Sequence, residues 1–171
     1  MKPSLWIRLD LLARRLTPFA LTLILVMISL VPLPVPGYAR VVPLLPLIGI
    51  YHWTIFRPEL MPTYAVFVIG LLQDALTGMP IGVNAMVFLV VYGVVLSQRR
   101  FFVGKSFVIL WLGFALVGAG EAFASWVLVS AYNVTLISPH ALFFQYLVTL
   151  GCFPMFSWVF LRWQGTFLRL E

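Results

Sequence analysis

Two carboxylates stand out in this 171-residue chain, because Asp74 and Glu121 are the acidic residues that fall inside long apolar stretches. An acid left facing lipid costs about 2.5–3.5 kcal/mol on insertion scales, so each needs a partner or a purpose. Three kinds of chemistry fit. The carboxyls could hydrogen-bond helices together, line an ion or ligand pocket, or receive a partner's transmembrane segment. The residues leave all three open. Catalysis is not expected: no G-x-S-x-G, H-E-x-x-H or P-loop pattern occurs, and no protease motif surrounds either acid.

The stretch that carries Asp74 is organised around it. Arg57-Pro58-Glu59 opens a charged cluster, an apolar helix follows with Gln73 and Asp74 near its far end, and Gly78, Pro80 and Gly82 break it. Gly70, Asp74 and Gly78 step by four and share one helical face. Beside Glu121, Gly113 and Gly120 step by seven, and Gly120 with Ala124 makes a small-x-x-x-small pair. Both acids therefore have a small-residue stripe that would permit close helix contact.

The surrounding composition is that of an integral membrane protein. Hydrophobic residues make up 63% and charged residues 9%, against roughly 45–50% and about 25% in soluble domains. Mean hydropathy is +1.07. Cys152 is the single cysteine, which excludes an intrachain disulfide and argues against a thiolate metal site. The net charge of +6 does not indicate nucleic acid, because the basic residues sit where membrane loops need them. No cleavable signal peptide is expected, since the first apolar run is long enough to span.

The hydrophobic pattern predicts a single membrane domain over 1–171. Residues 1–16 read as an amphipathic helix lying on the membrane, with Leu5, Leu9, Leu12 and Leu16 on one face, Ser4 as N-cap and Trp6 at headgroup level. Six spans follow, at about 16–35, 41–56, 60–76, 82–96, 106–130 and 142–161. Pro32, Pro34, Pro36 and Gly37 end the first, and Pro154 is expected to kink the last. Short connections make sequential helices antiparallel neighbours, with no soluble domain on either side. Lys2, Arg8, Arg14, Arg15, Arg57, Arg99, Arg100, Lys105, Arg162 and Arg169 fall on one side and Arg40 alone on the other. The positive-inside rule then puts both termini in the cytoplasm. Asp74 and Glu121 would each lie roughly 20 Å along their helices, in the outer half of the bundle.

The remaining polar side chains invite plain readings. His52 and His140 are isolated, without a second ligand at metal spacing, and His52 reads as an interfacial side chain. Trp53, Trp111, Trp126, Trp158 and Trp163 read as belt residues. Gln145, Tyr146 and Thr149 read as helix–helix hydrogen-bonding groups.

The sequence Phe56-Arg57-Pro58-Glu59, then Gly70-Leu-Leu-Gln-Asp74-Ala-Leu-Thr-Gly78, then Gly82 at the next span, resembles the bacterial rod shape-determining MreD family. The residue-level match runs over about 56–93 and rests on Arg57, Pro58, Gly70, Asp74, Gly78 and Gly82. Length, span number and loop economy extend it to nearly the whole chain. Glu121 is not part of that pattern. The resemblance implies an inner-membrane component of the cell-elongation machinery that works with MreC. It also implies a functional association with RodA, a class B transpeptidase and, indirectly, MreB, in lateral peptidoglycan synthesis. It implies a six-helix fold similar to the substrate-binding subunits of energy-coupling-factor transporters, with no catalytic activity and no cofactor.

Two functions are therefore expected to compete. In the first, the chain is a non-enzymatic scaffold that binds MreC, with Asp74, Gly70, Gly78 and Gly82 shaping a packing or docking surface and Arg57-Pro58 fixing the cytoplasmic end. In the second, it is a small-molecule-binding subunit of a vitamin-type transporter, with Asp74 and Glu121 near an outward-facing pocket.

Overall fold

The structure, a computed structural model, describes residues 5–31 and 41–167, with side chains from 12–31 and 41–166. These residues form six α-helices: α1 (Leu5–Ser29), α2 (Leu45–Phe56), α3 (Thr63–Thr77), α4 (Val83–Phe102), α5 (Phe107–Asn133) and α6 (His140–Phe167). A single 3-10 turn, Pro58–Leu60, joins α2 to α3. Four helices are long and apolar enough to cross a membrane: α1, α4, α5 and α6. Large apolar side chains cover their outward faces, among them Ile24, Val90, Leu116 and Leu147. That surface suits lipid and not water.

The short helix α2 is the centre of the bundle. Every residue from Leu45 to Ile55 is buried, as expected of a helix that is apolar all round. It packs against α1, α4 and α6. Tyr51 sits edge-on to Phe102, Phe114 and Phe153, at centroid distances of 6.0, 5.3 and 5.8 Å. Its hydroxyl donates to Leu110 O at 2.9 Å. This arrangement corrects the reading of His52 and Trp53 as interfacial groups. Both are buried in the core, their rings tilted against Phe160, because the helix that carries them has no lipid-facing side.

Several boundaries also differ from the expected ones. α1 runs as one helix through Pro18, where the pattern suggests a surface helix ending at 16 and a separate span. One interior proline removes a single backbone hydrogen bond, and a membrane helix tolerates that. The expected cap at Ser4, the Pro32–Gly37 terminator, Arg40 and the side chains of the expected amphipathic face over 5–11 lie outside what the structure describes. The second helix begins at Leu45 and not at 41, because 41–44 is extended and leads into the core. The third begins at Thr63, since Pro58 and Pro62 confine residues 58–62 to a tight turn. α5 and α6 are longer than the apolar runs alone suggest.

The extended segment 41–44 would leave backbone groups stranded at membrane depth. α6 satisfies them. Thr149 Oγ1 accepts from Leu44 N at 2.9 Å, and Gln145 Nε2 donates to Val42 O at 2.7 Å. Tyr146 hydroxyl donates to Ala115 O on α5 at 2.9 Å. These three residues do join neighbouring elements, as their depth predicts. Pro154 lies inside α6, which continues past it.

Candidate functional site

α3 buries one face: Ala65, Val66, Ile69, Gly70, Gln73 and Asp74. That face meets the start of α4, and the approach is very close at Gly70. A Cβ placed on Gly70 would collide with Ala85 Cα and lie 2.7 Å from Ala85 N. Only a residue without a side chain fits there.

One turn further on, Asp74 is fully buried. Its carboxylate faces the first turn of α4. Oδ2 accepts from Gly82 N at 2.8 Å and from Ala85 N at 3.4 Å. Oδ1 accepts from Asn84 N at 3.0 Å and from Asn84 Nδ2 at 2.8 Å. The N-cap residue of α4 is Gly82, which has no side chain to cap with. Asp74 supplies the missing acceptors from the preceding helix, and its negative charge meets the positive end of the helix dipole. The backbone carbonyl of Asp74 accepts from Gly78 N and, at 3.2 Å, from Met79 N. One residue thus closes α3 and opens α4.

The two glycines of the loop make this geometry possible. Gly78 ends α3 at φ 70° and Gly82 starts α4 at φ 105°. Both have a positive φ, which glycine adopts at no steric cost. Gly78 shares a helical face with Gly70 and Asp74 in the sequence, yet it packs against nothing. It acts through its backbone angle.

Arg57 and Pro58 lie at the other end of the bundle. Arg57 N closes α2 by donating to Trp53 O at 2.8 Å, and Pro58 begins the 3-10 turn. The Arg57 guanidinium is 3.6 Å from Glu59, an exposed pair of small energetic weight. At this same end Arg99 Nε donates to Ile55 O at 2.7 Å, tying α4 to α2.

Glu121 lies on α5, and the structure does not join it directly to Asp74. Glu121 is 7% exposed, and Ser125 Oγ, one turn along, donates to its Oε1 at 2.7 Å. It lines a cavity of about 210 Å³ at the end of the bundle opposite Arg57. Gln73, Asn84 and Gln145 contribute to the same wall. Asn84 is the link between the two acids, since it binds Asp74 and lines the cavity. The small-residue stripe expected beside Glu121 is corrected at one position. Gly120 is exposed with open space around it, whereas Gly113 and Gly118 make the close contacts, to Phe102 and Tyr146. The face of α5 is set by Glu121 turning inward, which rotates Gly120 out.

Asn84 and Ala85 are not singled out by the sequence. The available signal was an acid eight to eleven residues before a helix whose N-cap is glycine, a spacing that lets the side chain reach back across a tight turn.

The chain matches the family model for rod shape-determining protein MreD over residues 10–168. It belongs to the MreD family. In MreD terms, the matched region takes in all six helices except the first residues of α1. A curated relative, the uncharacterized protein RP566 of Rickettsia prowazekii (strain Madrid E), is 26% identical over 112 residues, covering 66% of this chain and 64% of that protein. The match therefore spans just under two thirds of the relative's length. No solved structure matches the chain. MreD membership agrees with the apolar bundle in making this a multi-pass membrane protein of rod-shape determination.

Proposed function

We propose that the chain is a non-enzymatic scaffold of the cell-elongation machinery in a bacterial inner membrane. It binds MreC and, directly or through MreC, serves RodA and a class B transpeptidase, with MreB as an indirect partner. The observation that carries this reading is the MreD match across residues 10–168. The distribution of polar groups supports it. Asp74, Gln145, Tyr146 and Thr149 are used inside the bundle. What remains outside is apolar helix surface, which associates with other membrane helices by close packing.

The topology in this proposal has six crossings and cytoplasmic termini. α2 and α3 are 12 and 15 residues long, or roughly 18 and 22 Å, short of a hydrocarbon core of about 30 Å. The extended residues 41–44 and the 3-10 turn lengthen these crossings. Non-helical backbone at depth is tolerated where protein covers it. Arg57, Arg99, Arg100, Lys105 and Arg162 gather at one end, which the positive-inside rule assigns to the cytoplasm.

The test is co-expression with tagged MreC from the same organism, gentle solubilisation, and complementation of a strain lacking this gene. A stable complex and restored rod shape are expected. A folded chain that never co-purifies with MreC, in a deletion strain that keeps its rod shape, overturns the proposal.

A further inference from the structure

The cavity beside Glu121 is walled by α3, α4, α5, α6 and the extended segment 41–44. Asn84 Nδ2 gives one of its two N–H groups to Asp74 Oδ1. A carboxylate can only be met by a donor, so this bond fixes the amide's orientation and leaves the Asn84 carbonyl oxygen and one N–H uncommitted. Gln145 Nε2 likewise gives one N–H to Val42 O, which leaves the Gln145 carbonyl oxygen and one N–H. The Ser125 hydroxyl is committed to Glu121 Oε1. Gln73 Oε1 takes a long bond from Ser29 at 3.4 Å, so its amide nitrogen is the donor that remains.

The residues around the cavity therefore bring one carboxyl group and three side-chain amides, with the carbonyls of Asn84 and Gln145 uncommitted. Among the described residues that line it, none is Lys, Arg or His. Glu121 and Asn84 are largely buried, at 7% and 5% exposure, and meet the outside only through the cavity. A buried carboxylate without a cation is the costly state of such a site. A ligand with several N–H donors and a positive charge complements it, and one acceptor atom on the ligand would meet Gln73. A volume of about 210 Å³ is below the roughly 300–1,000 Å³ of drug-sized pockets, which favours a compact molecule.

We propose that this cavity is a binding site for a small compound bearing a protonated amino group, with Glu121 as its counter-charge and the carbonyls of Asn84 and Gln145 as hydrogen-bond acceptors. The site is separate from the helix surfaces assigned to MreC and does not depend on that assignment.

Ethanolamine is a suitable probe, since it carries one ammonium and one hydroxyl. Purified wild-type protein in mild detergent is melted in rising ethanolamine hydrochloride at fixed pH and ionic strength. Tetramethylammonium chloride, with the same charge and no N–H donor, is the control. A saturable rise in Tm with ethanolamine alone is expected, because a ligand that binds only the folded state must stabilise it. Glu121→Gln keeps the shape and loses the charge, and is expected to weaken the apparent affinity about tenfold or more. Ala141→Phe fills the cavity from the exposed start of α6, leaves Glu121 in place, and is expected to abolish the response. No response in wild type, an equal response to tetramethylammonium, or an undiminished response in either folded variant overturns the site. None of these results bears on MreC co-purification, so the two proposals fail separately.

Discussion

Asp74 Oδ1 accepts hydrogen bonds from both nitrogens of Asn84, backbone and side chain, at 3.0 and 2.8 Å. This pair fixes α3 against the start of α4. Asn84 also lines the cavity of Glu121. A membrane carboxylate that is difficult to explain as an isolated charge becomes a helix cap once its neighbour is known.

Removing that cap should cost more than removing its charge. Asp74→Ala strands the N–H groups of Gly82, Asn84 and Ala85 and is expected to lose about 2–3 kcal/mol. Asp74→Asn keeps one acceptor oxygen and should fall between alanine and wild type. Equilibrium unfolding in mild detergent reads the order, and an alanine variant as stable as wild type would refute the capping role.

The glycines should separate by contact. Gly70→Ala drives a methyl group into the backbone of Ala85, and overpacking of this kind costs about 1–3 kcal/mol. Gly120→Ala meets nothing within 4 Å and should be neutral or gain up to about 1 kcal/mol in helix propensity. Equal melting temperatures for the two variants would contradict the close α3–α4 approach.

The loop glycines should separate by backbone angle. Gly78, at φ 70° and ψ 19°, sits where asparagine is tolerated. Gly82, at φ 105° and ψ −15°, lies beyond that region. Gly78→Asn is therefore expected to express and fold nearly as wild type, whereas Gly82→Asn is destabilised by about 1–2 kcal/mol. Comparable folded yields would count against this assignment.

Orientation is open to a direct labelling experiment, because Cys152 is the single cysteine. In a Cys152→Ala background, Lys105→Cys should resist a membrane-impermeant thiol reagent added to cells with a permeabilised outer membrane. Leu136→Cys, at a site 84% exposed in the α5–α6 loop, should react. The reverse pattern would invert the proposed topology.

Much of this fold could be read from composition and charge spacing. Long apolar runs in α1, α4, α5 and α6 need only local hydropathy to be recognised. Gln145, Tyr146 and Thr149 announce themselves as polar groups at depth. His52 and Trp53 could not be placed, because an aromatic near a helix end looks the same whether lipid or another helix covers it. The start of α2 was equally hidden, since Val41–Leu44 is apolar and its extended backbone is held by Thr149 and Gln145, more than a hundred residues away.

By itself the sequence determined the solvent. With 9% charged residues the chain has no polar coat for water, and lipid then requires helices that satisfy their own backbone. It also marked Asp74 as an acid in an apolar helix that Gly78, Pro80 and Gly82 bring to an end. Only the tertiary structure decided what each polar group does. It made α2 the buried axis, directed Asp74 to a neighbouring helix terminus, and placed Glu121 beside a cavity with no cationic side chain among its described lining residues. Those outcomes depend on which helix faces meet. Helix packing brings together residues far apart in the chain, and no local pattern records the encounter.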